Sequence, residues 1–226
     1  MDEIPLSGGR VTHGVVRVAQ TVRRPPQTNS ELVRALLAHL AALHLDIAPR
    51  YLGTDPQGRE IFSYLPGEVP RELNASFDDV TLIDAARLIR RFHNATAGTE
   101  LTSRQEVVCH NDLSPCNFVF RAGRPVAIID FDNAAPGTRL HDLGYALFLW
   151  LNLGTDGPDP AEQARRIETF CDAYGTAPGT AIVKAIATAV AANIQRLCAA
   201  DRLADVEWWQ AQLDWIEQHR RALAAH

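Results

Sequence analysis

Lysine is almost missing from this chain. Lys184 is the only one, so nearly all of the 22 basic residues are arginines. Acidic residues outnumber them at 27, and the net charge is −5. That balance leaves no electrostatic footprint for a nucleic-acid partner. Cysteine is scarce and scattered: Cys109, Cys116, Cys171 and Cys198 form no CxxC. Neither disulfides nor a zinc site is expected, and a reducing cytoplasm fits. No run of about 18 apolar residues is seen, so no membrane span and no membrane partner are expected. The N-terminus, MDEIPLSGGR, has neither the basic region nor the apolar core of a signal peptide. Internal repeats and low-complexity tracts are missing too. What is present is 46% apolar content over 226 residues, enough to bury a sizeable core in one large or two small domains.

The stretch that organises the rest is VVCHNDLSPCNFVFRAGRPVAIIDFD, Val107 to Asp132. Val107-Val108-Cys109 reads as a short buried strand that delivers His110-Asn111-Asp112 onto a loop. Phe118-Val119-Phe120 opens a second strand, residues 121–124 turn, and Val126 to Ile129 return as a third. Asn117 then stands at the start of a hairpin and Asp130 at its end, side by side in an antiparallel pair. Asp112 lies just ahead of both. Hard Mg²⁺ takes one or two carboxylates together with substrate phosphates, which Asn117 and Asp130 can supply. A hydroxyl attacking a γ-phosphate needs a carboxylate to orient it and accept its proton, a role open to Asp112. A polar hairpin with solvated carboxylates is the plain alternative, against which Ile128-Ile129-Asp130-Phe131 sets the acid in apolar surroundings.

His110-Asn111-Asp112-Leu113, Asn117 and Asp130-Phe131-Asp132 fall at the spacings of the kinase catalytic loop and metal motif. With no basic residue after the histidine, the pattern is less like a protein kinase. It resembles the aminoglycoside phosphotransferase and choline kinase branch of the kinase-like fold, which typically reads H-G-D-x-x-x-x-N and then I-D-F or I-D-W. The resemblance implies an α+β protein of two lobes: a small β-rich lobe over residues 1–66 and a mainly helical lobe over 67–226. It implies an ATP- or GTP-dependent, Mg²⁺-requiring transfer of phosphate to a small-molecule hydroxyl. Thr21-Val22-Arg23-Arg24-Pro25 looks like the family's V-L-R-R-P segment. That places Arg23 where kinases keep the lysine on the α/β-phosphates, unless Arg23 and Arg24 are solvated strand residues. Glu31 is the acid nearest the start of the helix that would answer it. Asp142 in His141-Asp142-Leu143-Gly144 looks like the family's D-L-A or D-L-G aspartate. It would hold the catalytic loop through backbone N–H groups or His110; capping its own helix is the compatible alternative.

The remaining chain supplies the frame. Gly8-Gly9 precede an alternating run, Val11 to Val18, and form either a phosphate-approaching turn or a plain surface turn. Ser30 is a candidate N-cap for a helix with a stripe at Leu32, Val33, Leu36, Leu37, Leu40 and Leu43. Pro49 to Gly53 and Arg59 to Tyr64 read as a hairpin around Asp55-Pro56-Gln57-Gly58. Leu65-Pro66-Gly67-Glu68 breaks the pattern and is the expected hinge, with backbone groups of Ser63, Tyr64 and Leu65 facing the nucleotide base. Ser76 or Asn74 is expected to cap a helix from about Phe77 to Thr96 with Val80, Ile83, Ala86, Ile89 and Phe92 inward. His93 near its end reads as packed or solvated rather than catalytic. After a loop over Pro136 to Arg139, His141 to Leu151 form an apolar helix. Three more helices follow: Pro160 to Tyr174, Thr180 to about Asp201 (apolar nearly all round, hence buried) and Asp205 to about Ala224. Trp208, Trp209 and Trp215 are core or substrate-pocket residues. Asp132 and Glu68 could line an acidic mouth suited to a cationic acceptor. Two other readings stay open: a nucleotide-binding protein with little catalysis, and a metal-dependent hydrolase using the same oxygen cluster.

Overall fold

The computed structural model describes residues 2–6, 14–71 and 76–225. Gly8 and Gly9, the residues before Gly14 in the alternating run, and Asn74 lie outside them. The first part of the chain forms a five-stranded antiparallel sheet in the order β1-β2-β3-β5-β4. Its strands are β1 (Ile4–Pro5), β2 (Val16–Val18), β3 (Thr21–Arg24), β4 (Tyr51–Thr54) and β5 (Glu60–Ser63). The β4–β5 hairpin turns where the sequence places it. Asp55 fixes it by accepting from the Gln57 and Arg59 N–H groups at 3.0 and 2.9 Å. The sheet carries α1 (Ser30–Ala42), whose inward face is Val33, Leu36, Leu37 and Leu40. Leu43 lies just past the helix and is exposed. Asn29, not Ser30, occupies the N-cap position, and no side chain caps there. The Ser30 hydroxyl instead accepts from the Gln27 N–H at 2.8 Å.

The larger part is helical: α2 (Asp79–Thr96), α3 (Arg139–Trp150), α4 (Pro160–Tyr174), α5 (Thr180–Ala199) and α6 (Leu203–Leu223). Between α2 and α3 run β6 (Val107–Cys109), β7 (Phe118–Arg121), β8 (Arg124–Ile128) and β9 (Ala135–Gly137). Helix α2 is capped by Asp78, which accepts from Thr81 N–H at 2.8 Å, so Ser76 is not the cap. Val80, expected inward, is 47% exposed because the buried face runs through Leu82, Ala85, Ala86, Ile89 and Phe92. Strand β9 falls where a loop is expected; it pairs antiparallel with β6, on an edge where Pro136 costs no ladder bond.

Helix α5 departs from one expectation. It is not buried all round: Lys184, Thr188, Gln195 and Arg196 face out, since alanine suits either side. With a mean hydropathy of 1.3, it is also long and apolar enough by composition to cross a membrane, although no unbroken apolar run marks it. Here its inner face packs between α3 and α6.

Two glycines are dictated by close approach. Gly67 has φ +150°, and a Cβ there would strike the Phe120 carbonyl, where Glu68 and Phe120 exchange backbone hydrogen bonds of 2.9 and 2.7 Å. Gly144 lets α3 rest on the α5 backbone at Ala185. Gly144→Ala is expected to destabilise the fold by about 1–3 kcal/mol, the range for overpacking a tight contact, measured as a lowered denaturant midpoint with an unchanged slope. An unaltered midpoint would show that the two helices can part freely.

The sheet and the helical part share one core, joined by polar contacts. Ile128 N–H donates to the Ile47 carbonyl at 2.8 Å. The Asn29 amide donates to the Asp132 and Ala134 carbonyls at 3.2 and 2.7 Å. These bonds set the face of the sheet against the residues following β8.

Candidate active site

Strand β6 is fully buried and ends at Cys109, whose thiol burial pushes up to about 12. His110 follows, also buried. Its Nε2 lies 3.0 Å from the Ile129 carbonyl. A carbonyl only accepts, so Nε2 carries the proton, and Nδ1 accepts from the Asp112 N–H at 3.3 Å. One imidazole thus ties the loop to the end of the β7–β8 hairpin. Asn111 has φ 63°, a left-handed conformation that asparagine tolerates better than most residues. This explains how Asn stands where the resembled family has Gly. Its amide also donates to the Asn133 carbonyl at 2.8 Å.

Asp142 is the fastening point. Its carboxylate accepts from His110 N–H at 2.7 Å and Asn111 N–H at 2.8 Å. It is free to do so because Thr138 caps α3, accepting from His141 N–H. His93 lies 3.0 Å from Asp142 and 2.8 Å from the Tyr174 hydroxyl, and Arg139 donates to that hydroxyl at 3.2 Å. A directed chain results: Arg139 to Tyr174 to His93 to Asp142. Burial pushes the Asp142 carboxyl up, but the His93 hydrogen bond, the nearby imidazoles and the His110 N–H outweigh it and hold it below its ordinary value. His93 is thus packed, and acts on the loop only through Asp142. From the other side Trp150, at the end of α3, donates its indole N–H to the Leu113 carbonyl at 3.0 Å.

The β7–β8 hairpin completes the cluster. Ile129 N–H donates to the Asn117 carbonyl at 2.9 Å, so residues 117 and 129 are direct neighbours. The Asn117 side-chain N–H donates to the Asp112 carbonyl at 2.8 Å, which turns the amide so that its oxygen faces away from that bond. Asp130 has φ 64° and ψ 62°, a second non-glycine residue in the left-handed region. Its side chain is 41% exposed despite the apolar residues around it in sequence, and partial burial, then the charge of Asp132, raise its carboxyl above the usual range. Two crowded carboxylates and an oriented amide oxygen are hard donors, the set that Mg²⁺ prefers when phosphates complete its shell. Among the described residues, no three His, Cys, Asp or Glu side chains form a metal cage by themselves.

Other expected residues are placed differently. Arg23 points away from the carboxylates to Asp55, at 3.4 Å. Its neighbour Arg24 reaches them, with Nη1 3.7 Å from Asp130 and Nη2 2.5 Å from Asp132. Asp132 is thus drawn inward rather than lining a mouth. Glu31 is exposed, and the acid beside Arg24 is the fully buried Glu60 of β5. Ser63 N–H donates to the Arg50 carbonyl and Tyr64 N–H to the Gln20 carbonyl, both at 2.9 Å. Neither N–H is therefore available to a base, which leaves the carbonyls of this stretch and the Leu65 backbone. Glu68 is exposed and pairs its backbone with Phe120. Trp208 is 44% exposed, while Trp209 is buried against Phe148. They help line a pocket of about 480 Å³ between α3, α5 and α6. Trp215 stacks on His219. Sequence reasoning missed Arg24, Glu60 and Trp150. Strand alternation carried a signal for Arg24, and an indole N–H in an apolar helix had to find a partner.

A sheet-plus-helix architecture with this loop and hairpin defines a kinase-like fold. The phosphotransferase enzyme family model matches residues 99–186. A trifolitoxin immunity protein of Rhizobium leguminosarum bv. trifolii is 31% identical, with 99% of this chain and 98% of that protein covered. The chain belongs to the phosphotransferase enzyme family. Two solved structures are similar in fold. One is a streptomycin–ATP ternary complex of APH(2'')-IIa, at 16% identity, a TM-score of 0.62, and 96% and 93% of the two chains covered. The other is spectinomycin phosphotransferase APH(9)-Ia with ADP and spectinomycin, at 11% identity, a TM-score of 0.64, and 96% and 92% covered.

Proposed function

We propose that this protein is a cytoplasmic phosphotransferase that moves the γ-phosphate of ATP to a hydroxyl of a small molecule. The observation that carries the reading is the interlocked loop and hairpin. The Asp112 backbone is held at both its N–H and its carbonyl, by His110 and Asn117, with Asp130 one residue beyond Ile129. Asp112 orients the acceptor hydroxyl and takes its proton. Asn117 and Asp130 hold Mg²⁺, which when bound supplies charge neutralisation for the phosphates. A nucleotide lies between the sheet and the helical part, which divide as lobes near residue 66, with Leu65 beside the base. ATP is favoured over GTP because the similar structures hold ATP and ADP. The acceptor is proposed to be an antibiotic or toxin, supported by the immunity protein among the relatives and by the antibiotics in the similar structures.

The test is ADP release with Mg²⁺-ATP across amino sugars, choline-like alcohols, nucleosides, macrolides and peptide toxins. Acceptor-dependent release is expected. Equal release without any acceptor would instead establish a hydrolase. Normal nucleotide binding with no responsive acceptor would favour a binding-only protein. Asp130→Asn is expected to abolish the Mg²⁺ dependence of nucleotide binding while the variant stays folded. The exchange removes one of two crowded carboxylates from a side chain that is 41% exposed, so the variant should melt close to wild type at pH 7. Retained metal-dependent affinity would take Asp130 out of the metal site.

A further inference from the structure

We infer that Arg24 is the cation that binds the nucleotide phosphates, and that Glu60 on a strand, itself held by Arg34 of α1, positions it in place of an acid from the helix. The inference rests on the phosphotransferase reading and assigns a residue pair within that site. Side chains alternate along β3, so Arg23 and Arg24 cannot both face the helical part. Arg23 takes the outer face with Asp55, which also accepts from Arg59 at 2.8 Å. Arg24 takes the inner face, directly opposite Glu60 in the β3–β5 register. Its guanidinium lies over the Phe62 ring, 4.9 Å from the centroid, and reaches Asp130 and Asp132. Among the described residues no other arginine of the sheet pairs with these carboxylates, and the sole lysine is exposed on α5.

The charges around Glu60 are the reverse of a strand cation answered by a helix acid. Glu60 is fully buried. Its Oε1 accepts from Arg34 Nε at 2.7 Å. Its Oε2 lies 3.8 Å from Arg24 Nε, too long for a hydrogen bond, and both atoms are buried without one. Arg34 therefore satisfies Oε1 alone, while Oε2 acts on Arg24 through charge and leaves the Arg24 Nε without a hydrogen bond. Two arginines around one buried carboxylate leave a surplus positive charge aimed at Asp130 and Asp132. A guanidinium fork there can take phosphate oxygens bidentately, which a lysine could not.

The experiment is Mg²⁺-ATP affinity by titration calorimetry, which needs no acceptor, on Arg24→Ala, Arg23→Ala, Glu60→Gln and the Arg24→Ala/Glu60→Gln pair, each checked for a cooperative melt. Arg24→Ala is expected to weaken binding by about ten- to a hundredfold, the scale of lost hydrogen bonds to a charged group. Arg23→Ala should change it less than about twofold. Glu60→Gln should weaken binding in the wild-type background, yet add nothing once Arg24 is alanine, because it acts through Arg24. A purely structural Glu60 would give the same loss in both backgrounds and overturn the positioning role. A larger loss from Arg23→Ala than from Arg24→Ala would overturn the assignment while leaving the phosphotransferase reading intact. No binding of Mg²⁺-ATP by wild type would overturn both.

Discussion

Asp112→Asn should lower phosphoryl transfer by roughly a hundredfold or more, the scale of a general-base contribution, with Mg²⁺-ATP affinity unchanged within about twofold. The asparagine keeps the size of the side chain and one hydrogen-bonding oxygen but loses the charge that takes the proton. The position survives the exchange, because the backbone of residue 112 is held through its N–H by His110 and through its carbonyl by Asn117. Affinity should survive because, on the proposed function, the nucleotide is bound by groups other than the base. The comparison is single-turnover transfer and nucleotide titration on the same preparations, with any acceptor found responsive. Equal transfer by the two proteins would remove Asp112 as the base. A parallel fall in affinity would mean that residue 112 touches the metal.

Asp142→Ala carries the largest expected loss of stability, about 3–5 kcal/mol, the scale of leaving several buried donors without their acceptor at about 1–3 kcal/mol each. The substitution strands the N–H groups of His110 and Asn111 and the proton of His93, all in buried or half-buried surroundings. The pH dependence has a definite sign. The folded carboxyl is held below its ordinary value, near 3.9 for a free aspartate. Its stabilisation is therefore complete above about pH 4 and is lost as pH falls through the folded pKa. Wild type should lose stability over that acid range, and Asp142→Ala should lack this component. Denaturant melts from pH 2 to 7 on both proteins decide it. Curves that run parallel through the acid range would show that Asp142 is not the group responsible.

The site was legible in sequence where spacing alone fixes geometry. Four residues between Asp112 and Asn117, and a tight hairpin between Asn117 and Asp130, bring those three together whatever the rest of the chain does. The helices from residue 160 onward were legible for a similar reason, with Asp159 and Pro160 starting one and Gly175 ending it. What was not legible depends on which way a strand faces. Arg23 and Arg24 are chemically identical and adjacent, and only the pairing of Arg24 with Glu60 tells them apart. A one-residue slip in register reverses the answer. Sequence points to α1 for the acid beside the cation, where Glu31 is exposed, because nothing local marks Glu60 as buried. Strand β9 looks like a loop in sequence because Pro136 and Gly137 are turn residues, and its pairing partner β6 lies far back in the chain.

The segment from His110 to Asp112 is a loop in outline only. A surface loop opens at little cost and exchanges its amides readily. Here two amides are bonded to a carboxylate rooted in α3, the imidazole reaches Ile129, and Trp150 grips the next carbonyl. In terms of opening free energy the segment belongs to the helical core, and it gives way when that core does. Loss of activity on heating should then coincide with loss of the fold instead of preceding it. On the proposed function, the freedom that nucleotide exchange requires lies outside this segment.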